Sequence, residues 1–264
     1  MNSQLSVWQM EIKNEEKMMD YFFEFSNDVN SNYRLDLMKQ RYSFIEKMIY
    51  DVIIFHANRL HINISDKCVS FWSKTKEYNI DYIHMHIDHC DYESRIYGTE
   101  HKKPLFTSLL YFNDNNSPTL LTEITREMAD TKCFNDTKIA LSFPKKCKNI
   151  CFDSGNYYHG ESYLSDEERS ERKVLVIALW EQNQSPSYIP YFPVELFYYK
   201  LFNQYERHIT LDDYNRYARD TSNVVDFIDM NHTIITIKIK NIEQDFFNKL
   251  IIEKEKTIMY SFKN

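Results

Sequence analysis

The sequence predicts a mainly β core with flanking helices, an α+β chain whose strands build a sandwich, jelly roll or barrel. Three observations carry this prediction. A helical apolar stripe occupies the stretch before about residue 60. From about Cys68 the texture changes to short strand-like runs set off by turn residues. After about residue 185 it changes again, to alternating helix-like and strand-like segments.

Taken in order, residues 14–27 and 33–58 read as helices. The second carries Leu37, Tyr42, Ile45, Met48, Ile49, Val52 and Ile53 at helical spacing. The strand-like runs are Val69–Trp72, Tyr82–Asp88, Leu105–Phe112, Thr119–Ile124, Ile139–Phe143, Asn149–Phe152, Tyr157–Glu161 and Val174–Trp180. Turns at Asn113–Pro118, Pro144–Lys146 and Asp153–Gly155 separate several of them. Pro193–Arg207 is an amphipathic helix, and Thr210 begins another. Thr233–Lys240 alternates as a strand, with Ile235, Ile237 and Ile239 on one face. A capping-box pattern at Asn241 opens a helix to about Glu255. The expected organisation is a helical support over 1–65, a β core over 66–184 and an appended α+β extension over 185–264.

The 264 residues are 43% hydrophobic, enough for one good core or one core with a small appended unit. A net charge of −7 argues against a broad cationic nucleic-acid face. Five cysteines, with no CxxC spacing, point to reduced thiols. The opening residues show no basic region followed by an apolar one, and the longest apolar run, Val174–Trp180, is far too short to span a bilayer. A cytoplasmic protein without membrane contact is the expectation, and sequons such as that at Asn63 are coincidental.

The segment from Tyr82 to Asp88 alternates apolar and metal-capable residues with period two. Successive strand side chains point to opposite faces, so Ile83, Met85 and Ile87 turn one way and His84, His86 and Asp88 the other. His-x-Asp on one strand face plus a distant His159 is the ligand set of a mononuclear non-haem Fe(II) centre. Such a set leaves coordination positions open, which suits oxygen chemistry better than a structural metal.

The order of segments after His86 and Asp88 is more specific. Leu105–Asp114 is a strand ending in a turn, Ser117-Pro118-Thr119 follows, and Cys151–Ser162 leads through Gly155 to His159 and Gly160. The run from Arg172 to Trp180 closes the set. This order resembles the Fe(II)/2-oxoglutarate-dependent dioxygenases, especially the prolyl-hydroxylase-like branch, over residues 66–182. The resemblance implies a double-stranded β-helix (jelly roll) core. It implies that His86, Asp88 and His159 hold Fe(II). It also implies that Arg172, with Tyr111 and Thr107, binds the cosubstrate 2-oxoglutarate; a guanidinium fork matches a carboxylate. The implied reaction is hydroxylation of a protein or peptide side chain, or of a small molecule, with release of succinate and CO2 and with ascorbate as a supporting reductant. Nucleic acid is the disfavoured substrate, because that branch's second Arg after Arg172 is absent. The family often has a Gly-Gly-x-Thr turn where this chain has Ser117-Pro118-Thr119. The interval from His159 to Arg172 is longer than usual, so Arg169 and Lys173 are rival carboxylate binders.

Other readings compete. His84–His89 spells HxHxDH, the zinc-binding signature of metallo-β-lactamase-fold hydrolases. That fold uses many glycines near its metal loops, whereas only Gly98, Gly155 and Gly160 occur here. His89-Cys90-Asp91 is a second His-x-Asp of opposite parity. His84 reads as a pocket-lining or hydrogen-bonded histidine, and Tyr157 and Tyr158 as packing residues. A non-catalytic jelly-roll binding module is the third option.

Overall fold

The computed structural model describes residues 5–12, 20, 22–26, 32–39, 41–76, 85–89, 102–131, 137–161, 171–181, 189–194, 196–197, 217–218, 224–233 and 235–239. In chain order its elements are β1 (Ser6–Ile12), β2 (Tyr33–Leu35), β3 (Arg41–Tyr42), α1 (Phe44–Arg59), β4 (Lys67–Lys76), β5 (Pro104–Tyr111) and β6 (Thr119–Thr122). There follow α2 (Arg126–Thr131), β7 (Thr137–Ser142), β8 (Lys148–Phe152), β9 (His159–Glu161), β10 (Arg172–Glu181), β11 (Tyr217–Ala218), β12 (Val225–Asp229) and β13 (Ile235–Ile239).

β10 organises the molecule. Its sequence RKVLVIALWE is buried along nearly its whole length, as expected for a strand covered on both faces. It pairs antiparallel with β4 from Arg172↔Lys76 to Glu181↔Lys67, and on its other side with β5, from Val174↔Tyr111 onward. The resulting seven-stranded sheet runs β12-β1-β8-β5-β10-β4-β2. A second, four-stranded sheet runs β13-β7-β6-β9, and its pairings are also antiparallel. Leu109, Tyr111, Val174 and Val176 of the large sheet pack with Leu121 and Ala140 of the small one. The architecture is therefore a mixed α/β fold dominated by two facing antiparallel sheets, a jelly-roll-like arrangement.

The opposite face of β10 packs on α1. Leu175, Ile177 and Leu179 join Ile45, Met48, Ile49, Val52 and Ile53 in one core. Each such side chain contributes roughly 1.5–3 kcal/mol by leaving water. Ser43 starts α1 with a capping box: its hydroxyl accepts from Glu46 N at 3.3 Å, and Glu46 Oε2 accepts from Ser43 N at 2.8 Å. Several polar groups buried beneath this helix are paired. Lys47 pairs with Asp51, and Asp51 also accepts from Val224 N at 2.8 Å. His56 Nε2 meets Asn149 Oδ1 at 2.7 Å, and Asn149 in turn donates to Ser108 Oγ and the Leu109 carbonyl.

The structure corrects parts of the sequence reading. The helix expected from residue 33 begins only at Phe44; Tyr33–Leu35 instead pairs with β4, with Tyr33 and Leu35 buried. The N-terminal support is thus not purely helical. β1, which was not foreseen, lies between β8 and β12 in the large sheet. Of the helix expected over 14–27, residues 20 and 22–26 are helical and the rest lies outside the described residues. The strand expected over Thr233–Lys240 is β13. The helix expected from Pro193 is described only at 194, 196 and 197, and the one from Asn241 lies outside the described residues. Cys68, Cys147 and Cys151 are free thiols. No helix among the described residues is long and apolar enough to cross a membrane.

Candidate metal centre

The small sheet is extended beyond β9 by a single antiparallel bridge between His86 and His159. The two residues exchange both backbone hydrogen bonds, at 2.8 and 2.9 Å. This pairing brings their rings to 4.3 Å between centroids. Asp88 is tied at its backbone to the turn after β8, where its N–H donates to the Ser154 carbonyl at 2.9 Å. Gly155 in that turn has a steric reason: a Cβ there would stand 2.8 Å from the Pro104 carbonyl oxygen.

His86, Asp88 and His159 each offer a ligand atom, all within 4.8 Å of one another. Asp88 Oδ1 is 3.4 Å from His86 Nε2 and 3.6 Å from His159 Nε2. Ligands bonded at ~2.1 Å to one first-row cation, at right angles, stand about 3 Å apart. The two carboxylate–imidazole distances lie within a few tenths of an ångström of that spacing, and the whole set would close further around an ion. The donor chemistry fits as well. A proton on His159 Nδ1 is placed to donate to the Tyr157 carbonyl at 3.2 Å, which leaves the Nε2 lone pair facing Asp88. Burial alone would raise the Asp88 pKa, but protonated His159 and His86 outweigh it and hold the carboxyl well below its ordinary value; a bound cation would stand in place of those protons. Thr107 donates to the second oxygen, Asp88 Oδ2, at 3.1 Å, and also meets Ser154 Oγ at 2.6 Å. The His86 side chain is 40% exposed against 8% for His159, so the cluster opens to solvent on one side. Two imidazoles and one carboxylate support metal-dependent catalysis in general.

Arg172, at the start of β10, is buried on the face that meets the small sheet. Its Nη2 donates to Thr119 Oγ1 at 2.6 Å, and its Nη1 is 2.8 Å from Glu161 Oε1. The Tyr111 ring lies 5.4 Å beneath the guanidinium, and its hydroxyl meets Thr119 Oγ1 at 2.5 Å. Burial would lower the Arg172 pKa, yet Glu161 and Tyr111 reverse the direction, so the group stays charged. Burial pushes the Tyr111 phenol up, which keeps it neutral.

The structure thus brings together His86, Asp88 and His159, and separately Arg172 and Tyr111. Thr107 is placed against Asp88. Lys173 has opposite strand parity to Arg172 and lies 3.5 Å from Glu171. His89 turns its ring to the Ile87 carbonyl and stands outside the three-residue cluster. His84, Asp91 and Arg169 lie outside the described residues.

Sequence reasoning missed Glu161, Lys74 and the role of Thr119. Glu161 was visible by parity, two residues after His159. Lys74 faces inward by its pairing with Val174. It is exposed by surface area, yet neighbouring protein desolvates it enough to lower its pKa, while Asp88 and Glu161 act in the opposite direction.

No family model and no curated protein matches the chain. Among solved structures, a prolyl-4-hydroxylase of Pseudomonas putida is similar at 10% identity and TM-score 0.42, over 69% of this chain and 88% of that one. HygX of Streptomyces hygroscopicus with iron bound is similar at 10% identity and TM-score 0.35, over 72% and 84%. The same protein with nickel and 2-oxoglutarate bound gives 8% identity and 0.33, over 72% and 85%.

Proposed function

We propose that the chain is an Fe(II)- and 2-oxoglutarate-dependent oxygenase that hydroxylates a protein or peptide side chain, as prolyl hydroxylases do. The observation that carries this reading is one inter-sheet face with a two-histidine, one-carboxylate cluster and, beyond it, a buried guanidinium. The double-stranded β-helix is supported by the strand order: β4-β10-β5-β8 in the large sheet faces β9-β6-β7 in the small one, with His86 as the next rung. Residues 66–184 would form the oxygenase core, with 1–65 and 185–264 supporting it.

In this reading His86, Asp88 and His159 hold Fe(II), and Arg172 with Tyr111 receives the distal carboxylate of 2-oxoglutarate. Fe(II), bound with 2-oxoglutarate and O2, supplies oxidative decarboxylation to succinate and CO2 coupled to hydroxylation of the substrate. The chain's own groups orient and insulate. Thr107 fixes one oxygen of Asp88 and leaves the other directed at the histidines. The Tyr157 carbonyl sets the His159 tautomer. Val174, Val176, Leu109 and Leu121 line the inter-sheet space and exclude water, which strengthens the ionic contacts inside it. A small cleft lined by Leu5, Leu121, Phe152, Tyr157 and Tyr158 opens beside His159.

The deciding experiment is anaerobic titration of metal-free protein with Fe(II) and 2-oxoglutarate, followed by the visible charge-transfer band of the chelate. The expected result is a band that His159→Ala removes. Absence of the band, with tight zinc binding and hydrolytic activity, would overturn the proposal.

A further inference from the structure

We propose that Glu161 is an internal competitor for the cosubstrate's distal carboxylate, holding Arg172 until a dicarboxylate displaces it; the inference rests on the 2-oxoglutarate reading above. Glu161 follows His159 by two residues on β9, so the two share a face, separated by about 6.6 Å of strand. It is 7% exposed, and its Oε1 lies 2.8 Å from Arg172 Nη1. Arg172 Nη2 is already given to Thr119. Nε and Nη1 are both buried and neither makes a hydrogen bond of good geometry among the described residues, so Glu161 holds Nη1 as an ion pair. A carboxylate gripped by two N–H groups on one edge of a guanidinium needs an edge with both free. With Nη1 held by Glu161 and one N–H of Nη2 by Thr119, an incoming carboxylate takes the Nη1–Nη2 edge only if Glu161 yields.

Lys74 gives Glu161 somewhere to go. It faces the same inter-sheet space as Arg172, and its charge is felt by Glu161 and Asp88. Glu161 therefore acts through Arg172 as a positioning residue. It lowers the advantage of a dicarboxylic keto acid over a monocarboxylic one.

The test is calorimetric titration of the nickel-loaded full chain with 2-oxoglutarate and with 2-oxopentanoate, which lacks the distal carboxylate. Glu161→Gln keeps the shape and removes the charge. It should bind 2-oxoglutarate at least about tenfold tighter and leave 2-oxopentanoate unchanged, the worth of one freed charge-assisted bond. Unchanged or weaker 2-oxoglutarate binding overturns the proposal and makes Glu161 an orienting strut for Arg172. If Glu161→Gln does not fold, the wild-type protein decides. A preference for 2-oxoglutarate over 2-oxopentanoate below about tenfold supports the competitor, and a larger one overturns it. Binding of nickel but of neither keto acid, in both proteins, refutes the underlying 2-oxoglutarate reading and takes the proposal with it. That outcome is distinct from a failure of Glu161 alone, where 2-oxopentanoate still binds.

Discussion

His56 and His159 are both buried, and both have one ring nitrogen within hydrogen-bond reach of an oxygen, yet they do opposite work. His56 lies between α1 and the large sheet, with Nε2 on Asn149 and Nδ1 lacking a partner among the described residues. Burial lowers its pKa to about 3, so it stays neutral. His159 lies between the two sheets, uses Nδ1 on a backbone carbonyl and turns Nε2 toward a carboxylate. The two faces of the large sheet differ in the same way. The helix side is mostly apolar, whereas the inter-sheet side keeps Asp88, Glu161, Arg172 and Lys74 together. Burial alone therefore does not mark a functional histidine; what its second nitrogen faces does.

The largest effect that would break this contrast is on metal binding. His159→Ala should abolish binding of Fe(II) or nickel by calorimetry. His56→Ala should leave metal affinity intact and cost about 2–4 kcal/mol in urea unfolding, because Asn149 loses its partner and a cavity opens. Equal loss of metal in both variants would dissolve the distinction. Next, Arg172→Ala should weaken 2-oxoglutarate by about 100-fold while sparing metal, and Lys173→Ala should change neither. If Lys173→Ala has the effect instead, the strand parity is misassigned. Thr107→Ala should weaken metal by about tenfold, the usual cost of losing a hydrogen bond to a ligand, and an unchanged affinity would release Thr107 from that role.

The smallest effect is on pH. The folded pKa of His56 is depressed to about 3 from 6.5, so the unfolded chain takes up a proton that the folded chain refuses. The His56 contribution is complete above pH 6.5. It is lost as pH falls toward 3, at up to about 1.4 kcal/mol per unit. His56→Gln should flatten that slope between pH 6.5 and 4, measured as urea midpoints; an unaltered slope would assign it to other groups.

The cluster of His86, Asp88 and His159 was legible because each element of its pattern is local: a two-residue alternation, and a glycine turn leading into a lone histidine. The strands around it were legible from alternation and turn residues for the same reason. β1 was not, since SVWQMEI becomes a strand through partners far along the chain in β8 and β12. Tyr33–Tyr42 misled because Leu37 and Tyr42 fall at helical spacing with α1 and are buried, yet they lie in a turn and in β3. Glu161 and Lys74 escaped because a lone acid or base on a strand has no meaning until its cross-sheet partner is known.

The paired backbone of His86 and His159 has a kinetic consequence. Because their peptide groups are joined, the two imidazoles present themselves as one preassembled chelator. If one ring lets go of an ion, its partner keeps that ion at high effective concentration beside it, and recapture outruns escape. Metal exchange should therefore be slow relative to the affinity of either ring alone.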